Sequence, residues 1–234
     1  MNALASTNNG ALVGTAAAVL LDMDGTLVLS EPVHHRAWKK FFHRWEIDVD
    51  DLDYQRTYMG RRAADVIAEV PGPWTGTDIA AAIAEMNDYA LLSTDAVQVV
   101  AGATALIEQF HADNTPIAVV TSAGTDWAER VLSDVLGVRS LVDIVVSAAD
   151  VVVGKPSPEG YFKACQLLGV PPKSCLAFED SPAGVAALTA AGVAQIIGVT
   201  TTSNAEQLRA AGAHWTVPDL APNGIRDLLG AAGA

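Results

Sequence analysis

Two carboxylates stand two residues apart in the segment DMDGTL, at Asp22 and Asp24, directly after the apolar run of residues 18–21. If this run is a strand, residues i and i+2 point to the same face, so the two acids lie together. Carboxylates at the end of a buried strand repel each other and lose water, which costs free energy unless a cation or a proton compensates. The pair therefore predicts a positive partner nearby.

Polar side chains also follow three later apolar runs, at Thr121-Ser122, at Lys155 and at Glu179-Asp180. In doubly wound sheets, ligands bind outside the carboxyl ends of the strands, so all four sets are expected to face one crevice. Several carboxylates without histidine form an oxygen ligand set that suits Mg²⁺. The sequence therefore predicts Mg²⁺ as the missing positive charge.

The elements that must position these residues alternate between strand and helix from about residue 101 onward. The strand-like segments are TPIAVVTSAGT, LVDIVVSAAD, SCLAFED, AQIIGVTT and HWTVPDL. The helix-like segments between them are DWAERVLSDVLG, SPEGYFKACQLLG and SPAGVAALTAAG. This alternation predicts an α/β fold with a doubly wound parallel sheet covered on both faces. We expect a flexible lead-in at residues 1–15, a core at 16–30 and 97–234, and a helical insert at 31–96.

The composition restricts the classes of partner. The chain has 234 residues, is 50% hydrophobic and carries a net charge of −13, with a pI of about 4.6. Such an acidic chain has no general attraction for nucleic acid or for an anionic membrane. No apolar stretch is long enough to cross a bilayer, and the N-terminus does not resemble a signal peptide. We expect a cytoplasmic protein with reduced thiols at Cys165 and Cys175.

The segments DMDGTL, TS, GKP and FEDSPAGV resemble, in this order, the four motifs of the haloacid dehalogenase-like superfamily. The resemblance extends over nearly the whole chain after about residue 16. It implies a Rossmann-like core, and the insert matches the subfamily with a small α-helical cap. Residues 31–96 are therefore called the cap below.

The resemblance implies roles for the four acids. Asp22 would be the nucleophile that forms an aspartyl-phosphate and would also be a metal ligand. Asp24 would be the general acid and then the general base, with its backbone carbonyl on the metal. Asp180 would bind Mg²⁺ directly, and Glu179 would be either a further ligand or a hydrogen-bond acceptor behind the ligands.

The resemblance also implies a phosphate site. The Thr121 hydroxyl, the amides of Ser122 and Ala123, and Lys155 would hold the phosphoryl oxygens. Positive charge and N–H groups directed at these oxygens stabilise the charge that develops during phosphoryl transfer.

The cap is expected to select the substrate. The segment RTYMGRRAADVI resembles sugar and polyol phosphatases, in which a Gly is followed two residues later by an Arg; these are Gly60 and Arg62, with Arg61 as an extra cation. Arg62 would contact the substrate or be an ordinary exposed arginine. His34 matches a histidine of β-phosphoglucomutases, and would contact the substrate or pack on the aromatic face of its helix.

These resemblances leave three functions open. The first is a Mg²⁺-dependent phosphatase of small phosphorylated sugars or polyols, acting as a monomer or a small homo-oligomer. The second is a β-phosphoglucomutase-like mutase, but the Lys and Arg of the mutase cap are replaced by Met59 and Ala63. The third is a non-catalytic protein that binds a phosphorylated ligand, which the presence of both Asp22 and Asp24 disfavours.

Overall fold

The structure is a computed structural model that describes residues 16–222. Its strands are β1 (Ala18–Leu21), β2 (Val28–Leu29), β3 (Gln98–Val99), β4 (Ile117–Val120), β5 (Ile144–Val146), β6 (Cys175–Glu179), β7 (Gln195–Val199) and β8 (Trp215–Val217). Its helices are α1 (Glu31–Arg44), α2 (Asp51–Thr57), α3 (Ala63–Glu69), α4 (Ala80–Leu91), α5 (Ala103–Ala112), α6 (Thr125–Arg130), α7 (Glu159–Leu168), α8 (Pro182–Ala191) and α9 (Ala205–Ala211). The predicted lead-in, 1–15, and the last part of the predicted core, 223–234, lie outside the described residues.

Six parallel strands form the central sheet in the order β5-β4-β1-β6-β7-β8. The first strand of the chain therefore lies in the middle, where Leu21 pairs with Val119 on one side and Phe178 on the other. This order confirms the predicted α/β class with a doubly wound parallel sheet. It also makes β1, β4 and β6 end side by side.

Both faces of the sheet are covered by helices. Val19 and Leu21 of β1 belong to the core cluster that includes α5 and α6, whereas Ala18 and Leu20 belong to the cluster with α7, α8 and α9. All four side chains are fully buried. Burial on both faces explains why the strand reads as a continuous apolar run rather than as an alternating one.

Helices α1 to α4 have an aromatic core of their own. Trp38 of α1 packs edge-on against Tyr58 with a centroid distance of 4.8 Å, and Phe41 lies 5.2 Å from Trp74. Aromatic pairs at these distances add to the stabilisation from buried area alone. None of the described helices is long and apolar enough to cross a membrane.

A short antiparallel sheet joins the cap to the core. Strand β2 pairs with β3, so that the chain leaves for the helices and returns from them at the same place. The sequence analysis did not predict this sheet, because strands of two residues show no measurable alternation of side chains.

Candidate active site

The carboxyl ends of β1, β4 and β6 form the floor of a cavity of about 710 Å³, and the cap forms its roof. Asp22 and Asp24 follow β1, Thr121 follows β4, and Asp180 follows β6. The strand order brings these groups together although they come from distant parts of the chain, as expected for the switch point of a doubly wound sheet.

Three acids and one lysine form the deepest part of the floor. Asp22, Glu179, Asp180 and Lys155 are all buried. Lys155 Nζ contacts Asp22 Oδ1 and donates to Glu179 Oε1 at 3.1 Å. Burial and the charge of Glu179 raise the pKa of Asp22 to about 7, against the lowering effect of Lys155. Burial and the charges of Glu179 and Asp22 raise the pKa of Asp180. One lysine therefore does not neutralise the cluster.

The donor set of this cluster fits a divalent cation. One carboxylate oxygen each of Asp22, Glu179 and Asp180 lies within 4.8 Å of the others. The buried Asp22 Oδ2 accepts no hydrogen bond from any residue that the structure describes. A hard cation binds favourably in a buried acidic cluster of this kind, because the cluster carries more negative charge than its single lysine neutralises.

Glu179 is less free than the two aspartates. Its Oε2 accepts from the N–H of Asp180 at 2.8 Å and from the N–H of Ser181 at 3.2 Å, and its Oε1 accepts from Lys155. Asp180 accepts a long hydrogen bond, 3.3 Å, from Thr26 at Oδ1 and a hydrogen bond from Thr202, but none from a backbone N–H of the described residues. Asp22 and Asp180 are therefore the better candidates for direct ligands, with Glu179 behind them.

Asp24 points away from this cluster into a ring of donors. Its Oδ1 accepts from Ser30 Oγ at 2.6 Å and Trp127 Nε1 at 2.8 Å, and lies 3.1 Å from His34 Nε2. Its Oδ2 accepts from Thr121 Oγ1 at 3.0 Å. The two carboxylates predicted to lie together thus share one edge of the sheet but have separate partners.

These partners set the protonation of Asp24. Burial by itself would raise the pKa of Asp24, but the charge and hydrogen bond of His34 and the hydrogen bonds of Ser30 and Trp127 outweigh it, and the pKa is lowered. Burial would lower the pKa of His34, but the hydrogen bond and charge of Asp24 raise it. Opposite charges stabilise each other in this way, so Asp24 is ionised and His34 holds a proton readily.

Sequence reasoning missed Trp127 and Ser30. Trp127 is 4% exposed and lies on α6, where it also belongs to the core cluster. The only signal in the sequence was the indole N–H of Trp127 itself, five residues after Ser122 of the TS motif. A buried tryptophan usually finds a partner for that group, but the partner could not be named without the fold.

The groups predicted to bind phosphate lie at the end of β4 and in the loop before α7. Thr121 Oγ1 accepts from the N–H of Ala123 at 3.0 Å, so these two groups are already linked. The Ser122 hydroxyl lies 3.5 Å from the carbonyl of Gly60, across the cavity in the cap. Lys155 reaches the same floor from the loop before α7.

The three cap residues predicted to contact the substrate, His34, Arg61 and Arg62, are each bound to another protein group. His34 contacts Asp24 and lies edge-on to the Trp127 ring, 4.9 Å between centroids, rather than on the Trp38 face. Arg61 lines the cavity but pairs with Glu69 at 2.5 Å. The Arg62 guanidinium binds Asp65 and three backbone carbonyls of the core, those of Ala148, Val151 and Val152. A contact of Arg62 with the substrate therefore stays a prediction.

Comparisons with known proteins agree with this geometry. Residues 16–192 match the haloacid dehalogenase-like hydrolase family. The chain is 40% identical over 190 residues to validoxylamine A 7'-phosphate phosphatase of Streptomyces hygroscopicus subsp. limoneus, covering 81% of this chain and 88% of that protein. It is 29% identical over 241 residues to a β-phosphoglucomutase of Mycobacterium bovis, covering 87% and 90%.

A solved structure has the same fold. The crystal structure of CbbY from Rhodobacter sphaeroides in complex with phosphate superimposes with a TM-score of 0.77 at 26% identity, covering 89% of this chain and 96% of that one. The family match extends over well over half of the chain, and the relative at 40% identity is covered almost completely. The chain therefore belongs to the haloacid dehalogenase-like hydrolase family and is an enzyme of that family.

Proposed function

We propose that the chain is a Mg²⁺-dependent phosphatase of small phosphorylated sugars or polyols, with residues 31–96 as the cap that encloses the substrate. The observation that carries this proposal is the buried Asp22, whose Oδ2 has no partner at the floor of the cavity while Oδ1 is held by Lys155. A carboxylate held at one oxygen and free at the other is arranged as a nucleophile. The phosphatase named above, at 40% identity, supports the same reaction class.

In the proposed reaction, Asp22 Oδ2 attacks phosphorus, and the bond between phosphorus and the ester oxygen breaks. The departing alkoxide takes a proton from Asp24, and an aspartyl-phosphate remains. Water then attacks this phosphorus while Asp24 accepts its proton, which releases inorganic phosphate and restores Asp22. Lys155 neutralises charge on the phosphoryl oxygens throughout.

Asp24 must carry a proton before it can act as the acid. The structure holds it ionised, and His34 Nε2, 3.1 Å from Asp24 Oδ1, is the neighbouring group that can supply this proton. The ionised form is already suited to the second step, in which Asp24 is the base. The hydrogen bond from Thr121 would keep Oδ2 directed toward the phosphate site.

Asp22 and Asp180 would hold Mg²⁺, with the backbone carbonyl of Asp24 as a further ligand and Glu179 behind them. The ion, when bound, supplies positive charge beside the phosphoryl oxygens and offsets the repulsion within the acidic cluster. The raised pKa values of Asp22 and Asp180 and the closeness of the three carboxylates support this assignment.

Hydrolysis is favoured over mutase activity by the cations of the cap. A mutase must grip a second phosphate there. Among the described cap residues that line the cavity, the cationic side chains are Arg61, Arg62 and His34, and each is paired with a protein group. A second phosphate would have to displace one of these partners. The mutase relative, at 29% identity, keeps the mutase as the second candidate.

The test is a screen of phosphorylated hexoses and polyols with Mg²⁺, in which released inorganic phosphate and isomerised product are both measured. We expect phosphate release over many turnovers and negligible conversion of β-glucose 1-phosphate to glucose 6-phosphate, even with the bisphosphate added as primer. Asp22→Asn is the matched inactive control. Isomerisation faster than phosphate release would make the mutase the correct function. The expected partner is the phosphorylated small molecule, and cytoplasmic location and a monomer or small homo-oligomer stay predictions.

A further inference from the structure

Arg62 of the cap is bound to a core loop rather than to the open cavity. Its Nη1 donates to the carbonyls of Ala148 at 3.1 Å and Val151 at 3.0 Å, and its Nη2 donates to the carbonyl of Val152 at 2.6 Å and to Asp65. A guanidinium has four Nη hydrogens, and these four contacts use all of them. Its remaining donor, the buried Nε–H, has no hydrogen-bond partner among the described residues.

Asp65 completes the contact from the same turn of the cap. Its Oδ1 contacts Arg62, and its Oδ2 accepts from the N–H of Gly154 at 2.9 Å. The approach is close: a Cβ on Gly154 would lie 2.6 Å from Asp65 Oδ2 and 3.2 Å from Arg62 Cβ. The Arg62 and Asp65 side chains are only 18% and 17% exposed, so solvent screens this pair less than a surface pair.

The loop held in this way, residues 148–154, leads directly into Lys155. The core binds the same loop: Glu159 of α7 accepts from the N–H groups of Val152 at 2.7 Å and Val153 at 2.9 Å, and Lys163 donates to the carbonyl of Asp150 at 2.7 Å. Lys155 then extends to Asp22 and Glu179 at the floor. The cap thus contacts the backbone immediately before the lysine of the proposed phosphate site.

We propose that Arg62 and Asp65 are positioning residues that couple docking of the cap to the placement of Lys155. The proposal rests on the proposed function, because Lys155 matters only if a phosphoryl group binds beside it. When the cap is docked, four backbone groups of the loop are bonded to it, and Lys155 starts from a fixed point. When the cap leaves, the loop keeps its bonds to the core but loses these four, so Lys155 loses part of its restraint.

This role predicts a different pattern of loss from a substrate contact. A residue that binds sugar hydroxyls matters for sugar phosphates and little for p-nitrophenyl phosphate, which presents none. A residue that positions Lys155 matters for every phosphomonoester, because all present the same phosphoryl group. We therefore expect Arg62→Ala to lower kcat/KM for both kinds of substrate by a similar factor, about 10²-fold.

The second measurement does not depend on turnover. Hydrogen exchange of the peptide covering residues 148–156, followed by mass spectrometry, should be about tenfold faster in Arg62→Ala, as for the loss of an ordinary hydrogen-bond contact. Arg44→Ala is the matched control, because Arg44 is a cap arginine whose partner, Glu85 at 2.7 Å, also lies in the cap. It should leave the exchange of this peptide unchanged.

Two further variants keep the proposal testable if Arg62→Ala does not fold. Arg62→Lys keeps the charge but has three donors for the four acceptors of Arg62 and lacks its planar fork, so its effects should lie between those of the parent and Arg62→Ala. Gly154→Ala places a methyl group against Asp65 and should speed exchange in the same peptide without removing any charge.

The outcomes separate the two proposals. Unchanged exchange of residues 148–156 in all three variants would overturn the coupling. A loss confined to sugar phosphates, with p-nitrophenyl phosphate spared, would overturn it in favour of a substrate contact. A parent enzyme that hydrolyses no phosphomonoester would refute the proposed function, whereas the exchange of the loop would still decide whether the cap holds it.

Discussion

Replacing Asp22 by asparagine should abolish turnover and, at pH 8 without metal, make the protein more stable. The side chain is 4% exposed and lies beside Glu179 and Asp180, so its charge is unfavourable in the folded state. Burial and Glu179 raise its pKa from 3.8 to about 7. This shift is about three units, or about 4 kcal/mol at 1.4 kcal/mol per unit, for the ionised carboxylate relative to the protonated one.

This shift already contains the favourable contact with Lys155, which lowers the pKa of Asp22. Asparagine is neutral, as the protonated carboxyl is, so the expected increase in the free energy of unfolding at pH 8 is about 4 kcal/mol. For a chain of this size, that corresponds to a rise in Tm of about 8–16 °C.

The pH dependence gives the sign of the effect. Because the pKa of Asp22 is raised in the folded state, the folded protein binds more protons than the unfolded one between about pH 4 and 7. The parent therefore loses stability as the pH rises through this range, and Asp22→Asn lacks that loss. Near pH 4 the two proteins should be about equally stable, because the folded parent then holds Asp22 protonated and as neutral as asparagine.

The assay is thermal unfolding of both proteins in chelator at several pH values between 4 and 8. Asp134→Asn is the control, because Asp134 is an exposed acid on the surface, paired with Arg130 at 3.3 Å. Its difference from the parent should be small and independent of pH. A lower Tm for Asp22→Asn at pH 8, or a difference that does not change with pH, would refute the assignment of Asp22 as a buried, strained carboxylate. Substantial hydrolysis by the pure variant would rule out the covalent mechanism.

Three other perturbations test the site. Excess chelator should abolish hydrolysis, and added Mg²⁺ should restore it. Ca²⁺ should inhibit, because it prefers a larger number of ligands in a less regular geometry than Mg²⁺. Full activity in excess chelator would exclude a metal requirement. Asp24→Asn should be nearly inactive on sugar phosphates. Its single-turnover phosphorylation by p-nitrophenyl phosphate should lose less rate, because this leaving group needs little protonation. Equal losses of rate with both substrates would mean that Asp24 is not the acid. Trp127→Phe keeps the buried ring and removes the indole donor, so unfolding at pH 8 should become easier by about 1.5–3 kcal/mol. Because the pKa of Asp24 is lowered in the folded state, this loss should shrink as the pH falls below about 4. The control Trp74→Phe removes an indole donor to the Val70 carbonyl instead, so its loss should not depend on pH, and the same pH dependence in both variants would refute the role of Asp24.

The sequence alone determined the fold class and the floor of the site. Periods of apolar residues are local properties, so they could be read along the chain without knowing the contacts between elements. The acids after β1 and β6, and the hydroxyl after β4, could be assigned to one crevice because parallel strands end at the same edge of a sheet. The structure brings Asp22, Thr121, Lys155 and Asp180 to that edge.

Only the tertiary structure decided which side chains surround these groups. Trp127 donates to Asp24 across 103 residues of sequence, and Arg62 donates to Ala148 across 86. Such contacts depend on the phase of each helix and on how the cap packs on the core, neither of which a local pattern encodes. The sequence left Arg62 as either a substrate ligand or an ordinary exposed arginine, because its residue type and spacing suited both. Its four Nη hydrogens are used by the core and by Asp65, because the close approach at Gly154 brings the loop carbonyls within reach.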